Sequence, residues 1–136
     1  MTRLLLLGSA LLLAAPDAGT GAPEATGVRS AEAWLRLIDE GRYGSAWDES
    51  AAMFRERVSR AQWETMSAAA RGPLGRVLSR KLGSAQLVHE LPGAPDGTYL
   101  VLVYQTRFEH KERGIETVTV MLDSAGSFRG AGYFIR

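Results

Sequence analysis

Alternation of apolar and polar side chains is clearest over residues 98–108, the sequence TYLVLVYQTRF. Most of these residues are β-branched, aromatic or large aliphatic, the types that suit a half-buried strand. Successive side chains of a strand point to opposite faces, so one face carries the more apolar set and is predicted to lie on the core. That set is Leu100, Leu102, Tyr104, Thr106 and Phe108. The opposite face becomes polar only at Gln105 and Arg107, which predicts a strand covered on both faces at its start.

Three further segments in the C-terminal half share this period of two, so four strands joined by short turns are predicted. The segments are residues 76–90, 115–122 and 127–135. We expect a bend in the first of them at Gly83. Gly130 and Gly132 leave one face of the last strand nearly bare, so we expect a helix or an aromatic side chain to approach it.

The N-terminal half has apolar residues at helical spacing, and three helices are predicted there. They cover residues 31–40, 43–54 and 60–71. Ser30 is the predicted cap of the first helix, and Gly41 is the residue that ends it. Ser59 and Gln62 match a capping box at the start of the third helix.

Helices that all precede the strands are typical of an α+β fold. We therefore predict three N-terminal helices packed on one face of a four-stranded antiparallel meander. The chain has 136 residues, and residues 30–136 are expected to form a single domain of ordinary size.

The first 18 residues have the pattern of a secretory signal peptide, with Arg3 before an apolar run too short to span a membrane. The alternative is an uncleaved N-terminal helix or anchor. Residues 19–29 are rich in Gly, Pro, Ala and Thr, which predicts a disordered spacer. We therefore expect a periplasmic or secreted protein with no transmembrane span after signal cleavage.

Composition excludes several classes of function. The chain is 46% hydrophobic and 23% charged, as in soluble globular proteins, and a net charge of +1 gives no reason to expect nucleic-acid binding. There is no cysteine, so disulfides, a thiol nucleophile and a lipid anchor on cysteine are excluded. His89 and His110 have no second ligand at metal-binding spacing, so no metal site, catalytic residue or cofactor is predicted.

Short motifs at fixed spacing are spread over residues 31–136. They are Ala33-Trp34-Leu35, Asp39-x-Gly41-x-Tyr43, Ser45-x-Trp47, Trp63, Arg71-x-Pro73-Leu74-Gly75, Ser79-Arg80, the segment from Leu91 to Tyr99, Tyr104-x-Thr106-x-Phe108, Glu116-Thr117-Val118 and Gly132-Tyr133-Phe134-Ile135. Together they resemble the DUF4019 family, small exported bacterial domains of unknown function. Phe128 departs from the family, in which tryptophan is usual at that position. The layout is also similar to a reduced cystatin-like or NTF2-like cone, and neither resemblance implies an activity.

Arg71, Arg80 and Glu116 are the most informative charged residues. Glu116 lies on a predicted strand with apolar neighbours, which favours a partly buried ion pair, with Arg80 as the expected partner. The alternative is a concave site in which Arg71 and Arg80 bind an anion or a carboxylate through their fork geometry.

Trp47 and Tyr104 complete the set of candidate binding residues. With the other aromatic side chains they could line a cavity between helices and sheet. In a small domain such residues more often fill the core.

Two main classes of function are compatible with these features. The first is a non-enzymatic envelope domain, monomeric or homodimeric, that binds a protein or a small molecule. The second is a small enzyme for proton transfer or hydrolysis, in which Tyr104, Glu116 or Asp39 would need a raised pKa in a helix–sheet cavity. A purely structural envelope accessory is a third alternative. A filled core with Glu116 paired to arginine would favour binding over catalysis.

Overall fold

A computed structural model describes residues 4–136 of the chain, with side chains described from Gly21 onward. All helices precede all strands, which confirms the predicted α+β class. The elements are α1 (Leu4–Asp39), α2 (Tyr43–Asp48), α3 (Ala52–Arg57), α4 (Arg60–Arg71), a 3₁₀ turn (Gly72–Leu74), β1 (Val77–Val88), β2 (Tyr99–Phe108), β3 (Lys111–Leu122) and β4 (Phe128–Ile135).

The four strands form one antiparallel sheet in the order β1-β2-β3-β4, as the predicted meander requires. All five residues predicted for the buried face of β2 are at most 3% exposed, because the helices cover that face. The predicted bend at Gly83 is present as a register shift between Leu82 and Ser84. The comparison with cystatin-like or NTF2-like cones stays a prediction.

Two predicted helix ends are confirmed. Gly41 follows α1 with a φ of 76°, and the Arg42 amide donates to the Leu37 carbonyl at 2.8 Å. Ser59 and Gln62 form the capping box of α4, with each side chain accepting from the other residue's amide. These ends were predictable because each depends on residues close in sequence.

The prediction of one helix over residues 43–54 is wrong, because α2 and α3 are separate. Between them Ser50 forms a parallel bridge with Gly130, and the Ala51 amide donates to the Gly130 carbonyl at 2.7 Å. A backbone amide that pairs with the edge of a sheet is not available to continue a helix. The predicted approach of an aromatic side chain to Gly130 is made by Trp34. A Cβ on that glycine would lie 2.1 Å from the indole Cε2.

Helix α1 also differs from its predicted start, because Ser30 lies inside it and caps nothing. Residues 21–29, expected to belong to a disordered spacer, are helical. Val28 packs against the core, and Gly27 lies so close to Leu100 that a Cβ would be 2.5 Å from its Cδ2. Burial against the sheet therefore outweighs the weak helix propensity of this segment.

The predicted signal peptide lies entirely on residues whose side chains are outside the described part of the chain, and it stays a prediction. Within the described residues, no helix combines the length and the apolar character needed to cross a membrane.

Candidate functional site

The guanidinium of Arg80, on β1, lies between two carboxylates. Its Nε and Nη2 donate to the two oxygens of Glu116 on β3, at 2.7 and 3.1 Å. Its Nη1 and Nη2 donate to the two oxygens of Asp39 at the end of α1, at 2.8 and 3.0 Å. Both contacts are bidentate, the geometry that makes arginine–carboxylate pairs specific. The predicted ion pair between Arg80 and Glu116 is therefore present, and Asp39 is an additional partner.

Glu116 has no solvent exposure. Besides Arg80, the hydroxyl groups of Thr106 and Tyr133 donate to its carboxylate, one to each oxygen. Strand register explains the arrangement, since Thr106 is opposite Arg80 and Tyr104 is opposite Glu116 across neighbouring strands. Burying a carboxylate is costly unless it is paired and hydrogen-bonded, and these three partners provide both.

Arg71 joins the same group from the end of α4 and is 5% exposed. Its Nη1 lies 3.0 Å from an Asp39 oxygen and 3.4 Å from the Tyr133 hydroxyl, and its guanidinium lies 5.0 Å above the ring of Phe108. We call Asp39, Arg71, Arg80 and Glu116 the ion cluster. It contains two cations and two anions, so its formal charge is zero.

Burial controls the protonation of the surrounding tyrosines. It raises the pKa of Tyr104 to about 12, and the carboxylates of Glu32 and Glu116 act in the same direction. Burial and the charge of Glu116 also raise the pKa of Tyr133 well above its usual value. Burial alone would lower the pKa of Arg80, but its hydrogen bonds to Asp39 and Glu116 outweigh that effect and raise it. Both phenols and the guanidinium therefore keep their protons at neutral pH.

Four of the five candidate binding residues meet in one place. Arg71, Arg80 and Glu116 belong to the ion cluster, and the Tyr104 ring lies 6.0 Å from the Arg80 guanidinium. Sequence reasoning missed Thr106 and Tyr133 as partners of Glu116. The position of Thr106 on the core face of its strand was the available signal, since a polar residue on such a face needs a partner.

A family model described as a protein of unknown function, DUF4019, matches residues 30–133. The chain belongs to the DUF4019 family. The match includes every member of the ion cluster and confirms the resemblance drawn from the motifs. No curated protein matches the chain.

Trp47, the fifth candidate binding residue of this DUF4019 domain, lies apart from the ion cluster. It is partly buried on α2, and its Nε1 donates to the Val58 carbonyl at 2.7 Å. Trp34 and Trp63 stack with ring centroids 5.7 Å apart, and each indole N–H donates to a backbone carbonyl of the α2 segment. These contacts place the tryptophans in the packing between helices and sheet.

The DUF4019 domain has three described grooves, of about 480, 430 and 320 Å³. The largest lies on the face of the sheet opposite the helices, the second lies between α1 and α2, and the third is a shallow apolar depression on α4. Glu116 and Tyr104 line none of these three grooves. No group of three His, Asp or Glu side chains within the described part of the chain is arranged to hold a metal ion.

Proposed function

We propose that this DUF4019 domain is an exported, non-enzymatic module of the bacterial envelope that binds a protein or a small molecule. The ion cluster is the observation that carries the proposal. Each carboxylate in it is held by arginine, and the buried Glu116 is also bound by two hydroxyl groups. These donors occupy both oxygens of Glu116, so the cluster joins α1, α4 and the sheet and leaves no oxygen of Glu116 directed at a substrate.

The alternative of a small enzyme would use Tyr104, Glu116 or Asp39. Tyr104 is the candidate that a specific observation favours, because its buried hydroxyl has no hydrogen-bond partner among the described residues. A pKa of about 12 keeps that phenol protonated at neutral pH, so it could act only as an acid. A catalytic acid must also reach the substrate, and none of the three grooves includes Tyr104.

Export is supported by the apolar run after Arg3. The test is to express the full chain in a Gram-negative host and to measure the intact mass of the protein in the periplasmic fraction. An intact mass that corresponds to the chain without about its first 18 residues would support export with cleavage. Full-length protein confined to the cytoplasm would contradict the proposal.

Binding is tested by native mass spectrometry of protein purified from the envelope of its own host. We expect a mass above that of the chain, from a bound small molecule or from a partner protein. The same sample is assayed with ester, phosphoester and glycoside substrates. Turnover that disappears in Tyr104→Phe, while the variant stays folded, would establish the enzyme instead.

A further inference from the structure

The largest of the three described grooves lies on the open face of the sheet, opposite the face that carries the ion cluster. We call it the basic groove, and the residues that matter here are Ser79, Lys81, Gln105, Arg107, Glu112 and Arg113. Strand register brings them together, because Lys81 is opposite Gln105 and Ser79 is opposite Arg107 on the neighbouring strand. Gln105 is in turn opposite Ile115 on β3. The groove is thus built on three adjacent strands, which hold its side chains on a rigid base.

Charge distinguishes this groove from the interior. It has three cations and one carboxylate, a formal charge of +2, although the whole chain carries only +1. Lys81, Arg107 and Arg113 make no ion pair within 4.0 Å among the described side chains, whereas Arg71 and Arg80 are neutralised by Asp39 and Glu116. Clustered cations that outnumber the nearby carboxylates attract anions, and a concave surface strengthens their field.

The shape and donors of the groove indicate the ligand. Its volume of about 480 Å³ is within the range of small-molecule sites. Arginine forks and a lysine ammonium suit phosphate oxygens, and Ser79 and Gln105 add neutral donors beside them. A phosphate monoester carries close to two negative charges at neutral pH, which matches the formal charge of the groove.

We propose that the basic groove binds the dianionic phosphate group of a phosphorylated ligand. This inference rests on the proposed binding function and gives it a ligand class. The phosphate could belong to a soluble compound or to a lipid headgroup, and the chemistry at the groove would be the same.

The test is a titration of the full chain with phenyl phosphate at low ionic strength, followed by the amide resonances of residues 79–81 and 105–115. We expect saturable shifts in these segments that weaken as salt is added. Phenol, which has the same ring and no charge, is the control ligand. The absence of saturable shifts with phenyl phosphate, or equal shifts with phenol, would overturn the proposal.

Charge variants identify the groove as the place of binding. Arg107→Gln and Arg113→Gln should each weaken binding by about two- to fivefold at low salt. Glu112→Gln removes the carboxylate of the groove and should tighten binding by about twofold. Arg36→Gln, an exposed substitution on α1 with the same charge change, is the matched control. If the groove variants bind phenyl phosphate as Arg36→Gln does, the proposal is overturned. Equal melting temperatures of all the variants would show that a change in binding does not come from a loss of folding.

A vesicle experiment distinguishes the two sources of phosphate. Flotation is measured with phosphatidylcholine vesicles, with and without phosphatidic acid, whose headgroup is a phosphate monoester. A lipid ligand would be indicated if the protein floats with the vesicles that contain phosphatidic acid, if Arg107→Gln weakens this binding, and if phenyl phosphate competes with it. Phenyl phosphate binding without flotation would indicate a soluble ligand. An envelope ligand found elsewhere on the domain would leave the proposed function intact while this groove assignment fails.

Discussion

At the scale of single residues, the domain is distinguished by Glu116, a carboxylate with no solvent exposure. Removing an ion from water is expensive, and here the cost is offset by Arg80, Thr106 and Tyr133. Breaking such a group by removing one member is far more damaging than replacing all of it with apolar side chains. The ion cluster should therefore affect stability strongly, although it carries no net charge.

We expect Glu116→Gln to lower the free energy of unfolding by about 3–5 kcal/mol, because it leaves Arg80 partly unpaired in the interior. Arg80→Met should have a comparable effect. Both are measured by chemical denaturation near neutral pH. Asp48→Asn is the control, since its salt bridge with Arg60 is exposed and should matter much less. Unchanged unfolding of both cluster variants would refute the structural role of the ion pair.

Replacing Tyr104 or Tyr133 by phenylalanine gives a matched pair of variants that tests the hydrogen bonds around the ion cluster. The Tyr104 hydroxyl is buried without a hydrogen-bond partner among the described residues, so Tyr104→Phe should leave stability unchanged or raise it by about 1 kcal/mol at pH 7. The Tyr133 hydroxyl donates to Glu116, so Tyr133→Phe should cost about 1–3 kcal/mol. If urea denaturation showed Tyr104→Phe to be less stable than Tyr133→Phe, this assignment of hydrogen-bond partners would be contradicted.

Stability should also fall at alkaline pH because of Tyr104. Its pKa is about 12 in the folded chain and 10.0 as the reference for an unfolded one. Between these values the unfolded state loses a proton that the folded state keeps, so unfolding is favoured as pH rises. The expected loss is about 2–3 kcal/mol from pH 10 to pH 12, with no contribution below pH 10. Tyr104→Phe should show a shallower decline in the same window, and an identical decline would contradict the raised pKa.

At the scale of elements, contacts with Gly130 on β4 explain why one predicted helix is divided into α2 and α3. Trp34 lies on Gly130, and the segment between α2 and α3 bonds to the same glycine through Ala51. A strand residue without a side chain lets both a ring and a second backbone approach it. The break between α2 and α3 is thus a consequence of tertiary pairing, and no local sequence signal marks it.

We expect Gly130→Ala to destabilise the domain by about 1–3 kcal/mol, because the added methyl group would overlap the buried indole of Trp34. Gly132→Ala is the matched control two residues along β4. Its Cβ would be 3.6 Å from the Thr119 Cβ, an ordinary contact, so little change is expected. Thermal unfolding of both variants provides the measurement. Equal melting temperatures would show that the indole moves aside at no cost.

At the scale of the whole molecule, the sheet separates two electrostatic environments. Its covered face carries the ion cluster, in which each formal charge is paired with an opposite charge. Its open face carries the basic groove, in which three cations have no ion-pair partner among the described side chains. A balanced interior stabilises the fold, and an unbalanced surface is suited to binding. The proposed phosphate ligand therefore belongs to the open face and requires no change in the core.

Much of the fold followed from short-range patterns. The buried face of β2, the bend at Gly83, the end of α1 at Gly41 and the capping box of α4 each depend on residues within a few positions of one another. The α+β class followed in turn, because the order of helices and strands restricts how they can be layered. Charge and apolar alternation also drew attention to Arg80 and Glu116 as a pair.

Tertiary structure decided what those patterns left open. Asp39 and Arg71 join the ion cluster because helix ends meet the sheet there, and Lys81, Arg107 and Arg113 share a groove because three strands lie side by side. The start of α1 before Ser30 depends on the sheet as well, since the partial burial of Val28 against the core stabilises a segment with weak helix propensity. These features depend on contacts between separate elements, and such contacts exist only after the elements have packed.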